Sequence, residues 1–169
     1  YLGARLLTAA GIADSMDATL AWNVAAMNHV ARRYWAPGIL WICGIRVRVV
    51  EDVPIDWRGN HVICANHASI FDIVALAGAV PPPYRFVAKR ELLRWPVIGW
   101  SLIPSGQIVI ARSDRGGAVR TLQQEAMRRM HSQVIFFVEG TRSRDGKLMP
   151  FKKGAFHFAV EHQLPVVPT

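Results

Sequence analysis

Val62-Ile63-Cys64-Ala65-Asn66-His67-Ala68-Ser69-Ile70-Phe71-Asp72-Ile73-Val74-Ala75-Leu76-Ala77 is the stretch that decides the fold. Its first four residues form a short apolar run with the character of a buried strand. Ile73 to Ala77 reads as a helix capped by Ser69 and ended before Pro81. A strand–turn–helix junction of this kind sets polar groups at the mouth of an α/β sheet, where ligands bind. His67 and Asp72 stand five positions apart across that junction. A turn leading into a helix brings such a pair within reach, whereas neighbours on a continuous helix lie three or four apart. The pair has the makings of a general base. A neutral imidazole accepts a proton near physiological pH, while a carboxylate fixes its tautomer and stabilises the imidazolium. A lone His-x4-Asp is a weak signal and takes its weight from its surroundings.

Working outward, three more apolar runs alternate with helical patterns: Arg85–Ala88, Gly106–Ala111 and Val134–Val138. Short buried strands alternating with helices predict an α/β fold around a mostly parallel central sheet flanked by helices. The runs ending near Ala65, Ala88, Ala111 and Val138 are each followed by polar groups: His67 and Asp72, Lys89, Arg112, and Glu139, Thr141 and Arg142. Groups placed after parallel strands converge on one edge of the sheet. A single cation in such a place, Lys89 for example, is more often a solvated loop residue. Arg112 and Arg142 follow strongly apolar strands and carry more weight.

Upstream, residues 1 to about 34 read as helical, with Asp14 and Ser15 as N-cap candidates and Met16, Leu20, Val24, Met27, Ala31 and Tyr34 on one stripe. The segment Trp35–Gly44 is apolar and rich in tryptophan. Such a region suits either a bilayer interface or the core of a soluble domain, and the stripe alone does not choose. Ile45–Val50 alternates and is expected to form a strand with one wet face. Trp95–Trp100 reads as a turn and a short apolar helix, and Ser113 or Asp114 caps the helix carrying Ala118, Leu122, Ala126 and Met130.

The 169 residues suffice for one domain with a sizeable core, and the net charge of +8 suits a polyanionic partner: nucleic acid, an anionic membrane surface or phosphorylated small molecules. Cys43 and Cys64 lie in apolar runs without metal-ligand spacing, so buried free thiols in a reducing compartment are expected. His29, His61, His131, His157 and His162 lack metal spacing too, so no metal is expected. No run has the length of a membrane span and no signal peptide is evident. The chain starts at Tyr1 and stops at Thr169 inside an apolar run, which reads as a fragment.

Four blocks now stand in order: Asn66-His67-x4-Asp72, Gly106 with Arg112, Phe137-Val138-Glu139-Gly140-Thr141-Arg142-Ser143, and Pro165-Val166-Val167-Pro168. Together they resemble the glycerolipid acyltransferases of the 1-acyl-sn-glycerol-3-phosphate acyltransferase type, over about residues 35 to 169. One departure is Val138, where the family usually carries Pro; another is that family members continue with further strands beyond the point where this chain stops.

The resemblance implies a glycerol-3-phosphate acyltransferase-like fold, with residues 1–44 as a helical membrane-docking segment and 45–169 as the acyltransferase domain. It implies transfer of a fatty acyl group from acyl-CoA or acyl-carrier protein to the sn-2 hydroxyl of lysophosphatidic acid, giving phosphatidic acid. His67 is then the general base and Asp72 its orienting partner. Arg112, Glu139, Gly140, Thr141 and Arg142 bind the acceptor's glycerol phosphate, with Lys89 as a further cation. No cofactor is implied beyond the acyl thioester co-substrate. The setting implied is the cytoplasmic face of the inner (plasma) membrane, against an anionic lipid surface. The same chemistry on glycerol 3-phosphate, a lyso-ornithine lipid or another lysophospholipid is the near alternative. A non-catalytic lipid binder is opposed by the intact His67/Asp72 pair. A nucleic-acid module would interleave aromatics with cations on one face. Trp35, Trp41, Trp95 and Trp100 lie in apolar runs instead, so no nucleic acid is expected.

Overall fold

The computed structural model describes residues 22–96, 98–111, 115–128, 132–143 and 145–169. Asp14, Ser15, Met16, Leu20, Arg112, Ser113, Asp114, Met130 and His131 lie outside the described residues. Residues 22–42 are helical throughout, with a π-helical turn at Ala31–Trp35 followed by α1, Ala36–Ile42. Pro37 stands in the first turn of α1. It has no N–H for the carbonyl four residues back and its ring crowds that carbonyl, which accounts for the widened turn just before it.

The strands are β1 Val62–Ala65, β2 Tyr84–Lys89, β3 Ile108–Ile110, β4 Gln133–Phe137 and β5 Val166–Pro168. They form one five-stranded sheet in the order β3-β2-β4-β1-β5, and every pairing is parallel. Val62 aligns with Val134 on one side and with Val166 on the other. Helices α2 Phe71–Ala79, α3 Ile98–Leu102, α4 Arg115–Arg128 and α5 Gly154–Glu161 connect the strands, and a 3-10 helix, Arg90–Arg94, follows β2 directly.

The alternation of side chains along a strand gives the sheet two apolar faces. Val62, Val134 and Phe136 pack with Leu122 of α4 and with Ala155 and Phe158 of α5. Ile63 and Ile135 point the other way, into a cluster with Ala36 of α1 and Val74 and Ala77 of α2. A parallel sheet covered on both faces needs near-continuous apolar strands, which is why β1 is buried at every residue. The amino-terminal edge of the sheet is closed by a structural polar knot. The Gln133 side-chain oxygen accepts the His61 N–H at 2.8 Å and stands 3.1 Å from His61 Nδ1, while the Gln133 amide donates to the Gly59 carbonyl at 3.0 Å.

Two expectations are corrected. Ile45–Val50 is irregular chain rather than a strand, and Arg46 to Val50 are exposed. Its alternation supplies a face, but among the described residues no strand pairs with it, and strand propensity acts through such neighbours. Cys43 is exposed, while Cys64 is buried as expected; burial raises the Cys64 thiol pKa. Among the described residues no helix is long and apolar enough to cross a membrane.

Candidate active site

The parallel arrangement brings every strand's carboxyl end to one edge, and the polar residues of the turns collect there. His67 lies two residues beyond β1. Its Nδ1 is 2.9 Å from Asp72 Oδ2. The same oxygen accepts the N–H groups of Ala68 and Ser69, each at 2.8 Å. One carboxylate therefore folds the turn and holds the ring together. The helix starts slightly later than the Ser69 cap suggested: Ile70 occupies the cap position, and the Ser69 hydroxyl accepts the Phe71 N–H at 3.2 Å. Asp72 sits in the first turn of α2, where the helix dipole favours negative charge.

The imidazole lies flat on Phe137, with ring centroids 4.0 Å apart and planes inclined by 19°. The His67 side chain keeps 14% of its surface and Asp72 29%, so the pair is sheltered and still reachable. With Nδ1–H donating to the carboxylate, the neutral ring presents Nε2 as a lone-pair acceptor. The backbone of His67 is held as well. Its N–H donates to Glu139 Oε1 at 2.9 Å and its carbonyl accepts the Ser143 N–H at 2.7 Å.

Glu139 is 2% exposed, and its second oxygen, Oε2, accepts the Met149 N–H at 3.0 Å. Gly140 follows at φ +76°, a conformation that favours glycine, and its N–H closes a turn onto the Phe137 carbonyl at 2.9 Å. Thr141 and Arg142 are exposed beyond that turn. Lys89, the last residue of β2, reaches the same edge and is half-buried. The structure thus joins His67, Asp72 and Glu139 by hydrogen bonds and places Gly140, Thr141, Arg142 and Lys89 nearby along the edge. Arg112 lies outside the described residues. The stacking of Phe137 went unforeseen; the odd parity it shares with Ile135 in β4 is the signal that places it on His67's side.

On the α5 side of the sheet, the face opposite the one that carries Phe137 and the imidazole, an apolar cavity of about 360 Å³ is lined by Cys64, Asn66, Val138, Leu148, Phe151 and Phe156, among others. Among the described residues no cluster of three or more His, Cys, Asp or Glu side chains is placed to hold a metal.

A parallel α/β sheet with a His–Asp pair and an apolar cavity at its carboxyl edge is suited to proton-assisted group transfer on an apolar substrate. The chain belongs to the acyltransferase family, whose model, described as Acyltransferase, matches residues 44–169. It is similar to an uncharacterized acyltransferase of Schizosaccharomyces pombe, 40% identical over 131 residues that cover 75% of this chain and 47% of that protein. It is also similar to the 1-acyl-sn-glycerol-3-phosphate acyltransferases of Limnanthes douglasii, at 35% identity over 77% of this chain and 46% of that one, and of Escherichia coli, at 32% over 86% and 58%. The chain spans about half the length of the curated relatives it matches. Among solved structures, the 1-acyl-sn-glycerophosphate (LPA) acyltransferase PlsC from Thermotoga maritima shares the fold, with a TM-score of 0.55 and 23% identity over 92% of this chain and 74% of that one.

Proposed function

We propose that this chain carries the catalytic core of a lysophosphatidic acid acyltransferase, with His67 as general base. The single observation behind this reading is the 2.9 Å contact between His67 Nδ1 and Asp72 at the sheet edge. In the proposed step, His67 Nε2 takes the proton of the acceptor's sn-2 hydroxyl as that oxygen attacks the thioester carbonyl of acyl-CoA or acyl-carrier protein. The new C–O bond forms, the C–S bond breaks, and the proton passes from the imidazolium to the departing thiolate. Asp72 steadies the imidazolium in between. The base supplies on the order of 10²–10⁴ in rate, and positioning supplies more. Direct transfer needs no acyl-enzyme, and the chain has no Gly-x-Ser-x-Gly elbow to form one.

Arg142 is assigned to the acceptor's phosphate, which a guanidinium fork grips in two-pronged fashion. Thr141, Gly140, Lys89 and Arg112 are assigned beside it. The apolar cavity next to Asn66 is the natural place for an acyl chain. No cofactor enters this reading.

The enzyme is proposed to work on the cytoplasmic face of a membrane, docked through residues 1–44, with 45–169 as the acyltransferase domain. In support, the helical run exposes Trp22, Tyr34, Trp35 and Trp41, the last at 82%, with Arg32 and Arg33 between them. Beyond β2, exposed Trp95, Trp100 and Ile103 stand near exposed Arg90 and Arg94. Tryptophan favours the bilayer interface and arginine favours anionic lipid.

The test is acyl transfer from oleoyl-CoA to lysophosphatidic acid in detergent micelles, comparing the chain with His67→Ala. Transfer that vanishes in the variant while the circular dichroism is unchanged supports the reading. Transfer that survives in the variant overturns it. A panel of glycerol 3-phosphate and other lysophospholipids then ranks the acceptors.

A further inference from the structure

We propose that Glu139 is a positioning residue for the catalytic base and makes no contact with the acceptor. The inference deepens the acyltransferase reading above and rests on it. By resemblance Glu139 belongs with the residues that bind glycerol phosphate, yet its surroundings point elsewhere. The side chain is 2% exposed. One carboxylate oxygen is occupied by the His67 N–H and the other by the Met149 N–H. A carboxylate turned toward a phosphate would meet like charge, whereas here the charge is turned inward onto two backbone donors that suit it.

These two bonds join three segments that are distant in sequence: the turn after β1, the turn after β4 and the loop before α5. The His67 peptide is gripped from both sides by the 139–143 turn, through Glu139 Oε1 on its N–H and the Ser143 N–H on its carbonyl. Asp72 and Phe137 then fix the ring on that backbone. The position of Nε2 therefore depends on Glu139 through the peptide of His67. The bond to Met149 extends the same control to Leu148, which lines the apolar cavity. Glu139 thus sets the base, the Arg142 turn and the cavity wall relative to one another. A displacement of about an ångström in such a constellation lowers turnover by about 10²-fold.

Glu139→Gln is the informative variant. It keeps the shape and one acceptor oxygen, but sets an amide NH₂ against the remaining N–H. The expected result is a kcat reduced about 10- to 100-fold with the acceptor KM within about twofold of wild type. Arg142→Ala, by contrast, raises the acceptor KM. Hydrogen exchange gives a readout independent of catalysis: the amides of His67 and Met149 exchange faster together in Glu139→Gln. If that variant does not fold, Met149→Pro removes the donor on the far side, leaves Glu139 in place, and is expected to lower kcat without raising the acceptor KM. A raised KM with unchanged kcat in Glu139→Gln overturns the proposal, as does exchange that is unchanged at both amides. If the wild type transfers no acyl group, the function proposed above has failed, and the exchange experiment still decides whether Glu139 holds these two peptides.

Discussion

Asp72 Oδ2 receives the His67 ring and two backbone N–H groups at once, and these duties can be separated by substitution. In Asp72→Asn an amide oxygen can still accept from the turn, but no charge remains to stabilise the imidazolium. Transfer is expected to fall by about 10²–10⁴ with the fold intact. Asp72→Ala also strips the two N–H groups of their acceptor. It is expected to be about 1–3 kcal/mol less stable than Asp72→Asn in a urea titration. Equal stability of the two variants would show that the turn does not depend on this carboxylate. His67 and Asp72 were legible in the sequence because their encounter is local, made within one strand–turn–helix unit. The contacts of Glu139 and Phe137 were not, because each reaches from β4 or the turn after it to the turn after β1; Glu139 meets a partner 72 positions away. Only the register of β1 against β4 brings them together.

At the scale of elements, α3 is seated by a glycine. A Cβ built on Gly99 would run into the Leu93 carbonyl, so the 3-10 helix and α3 pack backbone to backbone. Gly99→Ala is expected to lose about 1–3 kcal/mol to overpacking, read as a lowered Tm. A second seam joins β2 to the helices. The Tyr84 hydroxyl donates to the Ala77 carbonyl at 3.0 Å, and the Tyr84 N–H donates to Asn28 Oδ1 at 2.8 Å. Burial pushes the Tyr84 phenol up to about 12 from 10.0, against a smaller opposing pull from Arg32. The phenol stays protonated longer in the folded chain than in the unfolded one. Its contribution to stability is therefore complete below about pH 10 and is lost as the pH rises toward about 12. Melting curves across that window should fall more steeply for wild type than for Tyr84→Phe; parallel curves would contradict the assignment. The strands at β1, β2, β3 and β4 were readable because buried parallel strands are almost wholly apolar. Ile45–Val50 misled because alternation reports a pattern of exposure and says nothing of whether a neighbouring strand exists.

The whole molecule carries a net charge of +8, and its exposed aromatics lie near arginines both before β1 and after β2. Binding to vesicles containing anionic lipid is expected to exceed binding to zwitterionic ones. It should weaken as salt approaches about 1 M, where the Debye length falls to about 3 Å. Trp41→Ser and Trp100→Ser should each reduce binding without altering the fold, since both side chains are largely exposed. Vesicle sedimentation that ignores lipid charge would count against membrane docking. The order of the strands has its own consequence. Among the described residues β1 is the first strand in sequence, yet its two neighbours, β4 and β5, are the last two. Long loops must close before that pairing yields anything, and their closure entropy comes first. During synthesis from the amino terminus, His67 emerges well before the turn that will grip it. The geometry proposed for His67 therefore forms late in folding, and a nascent chain lacking residues beyond Phe137 has no clamp for it.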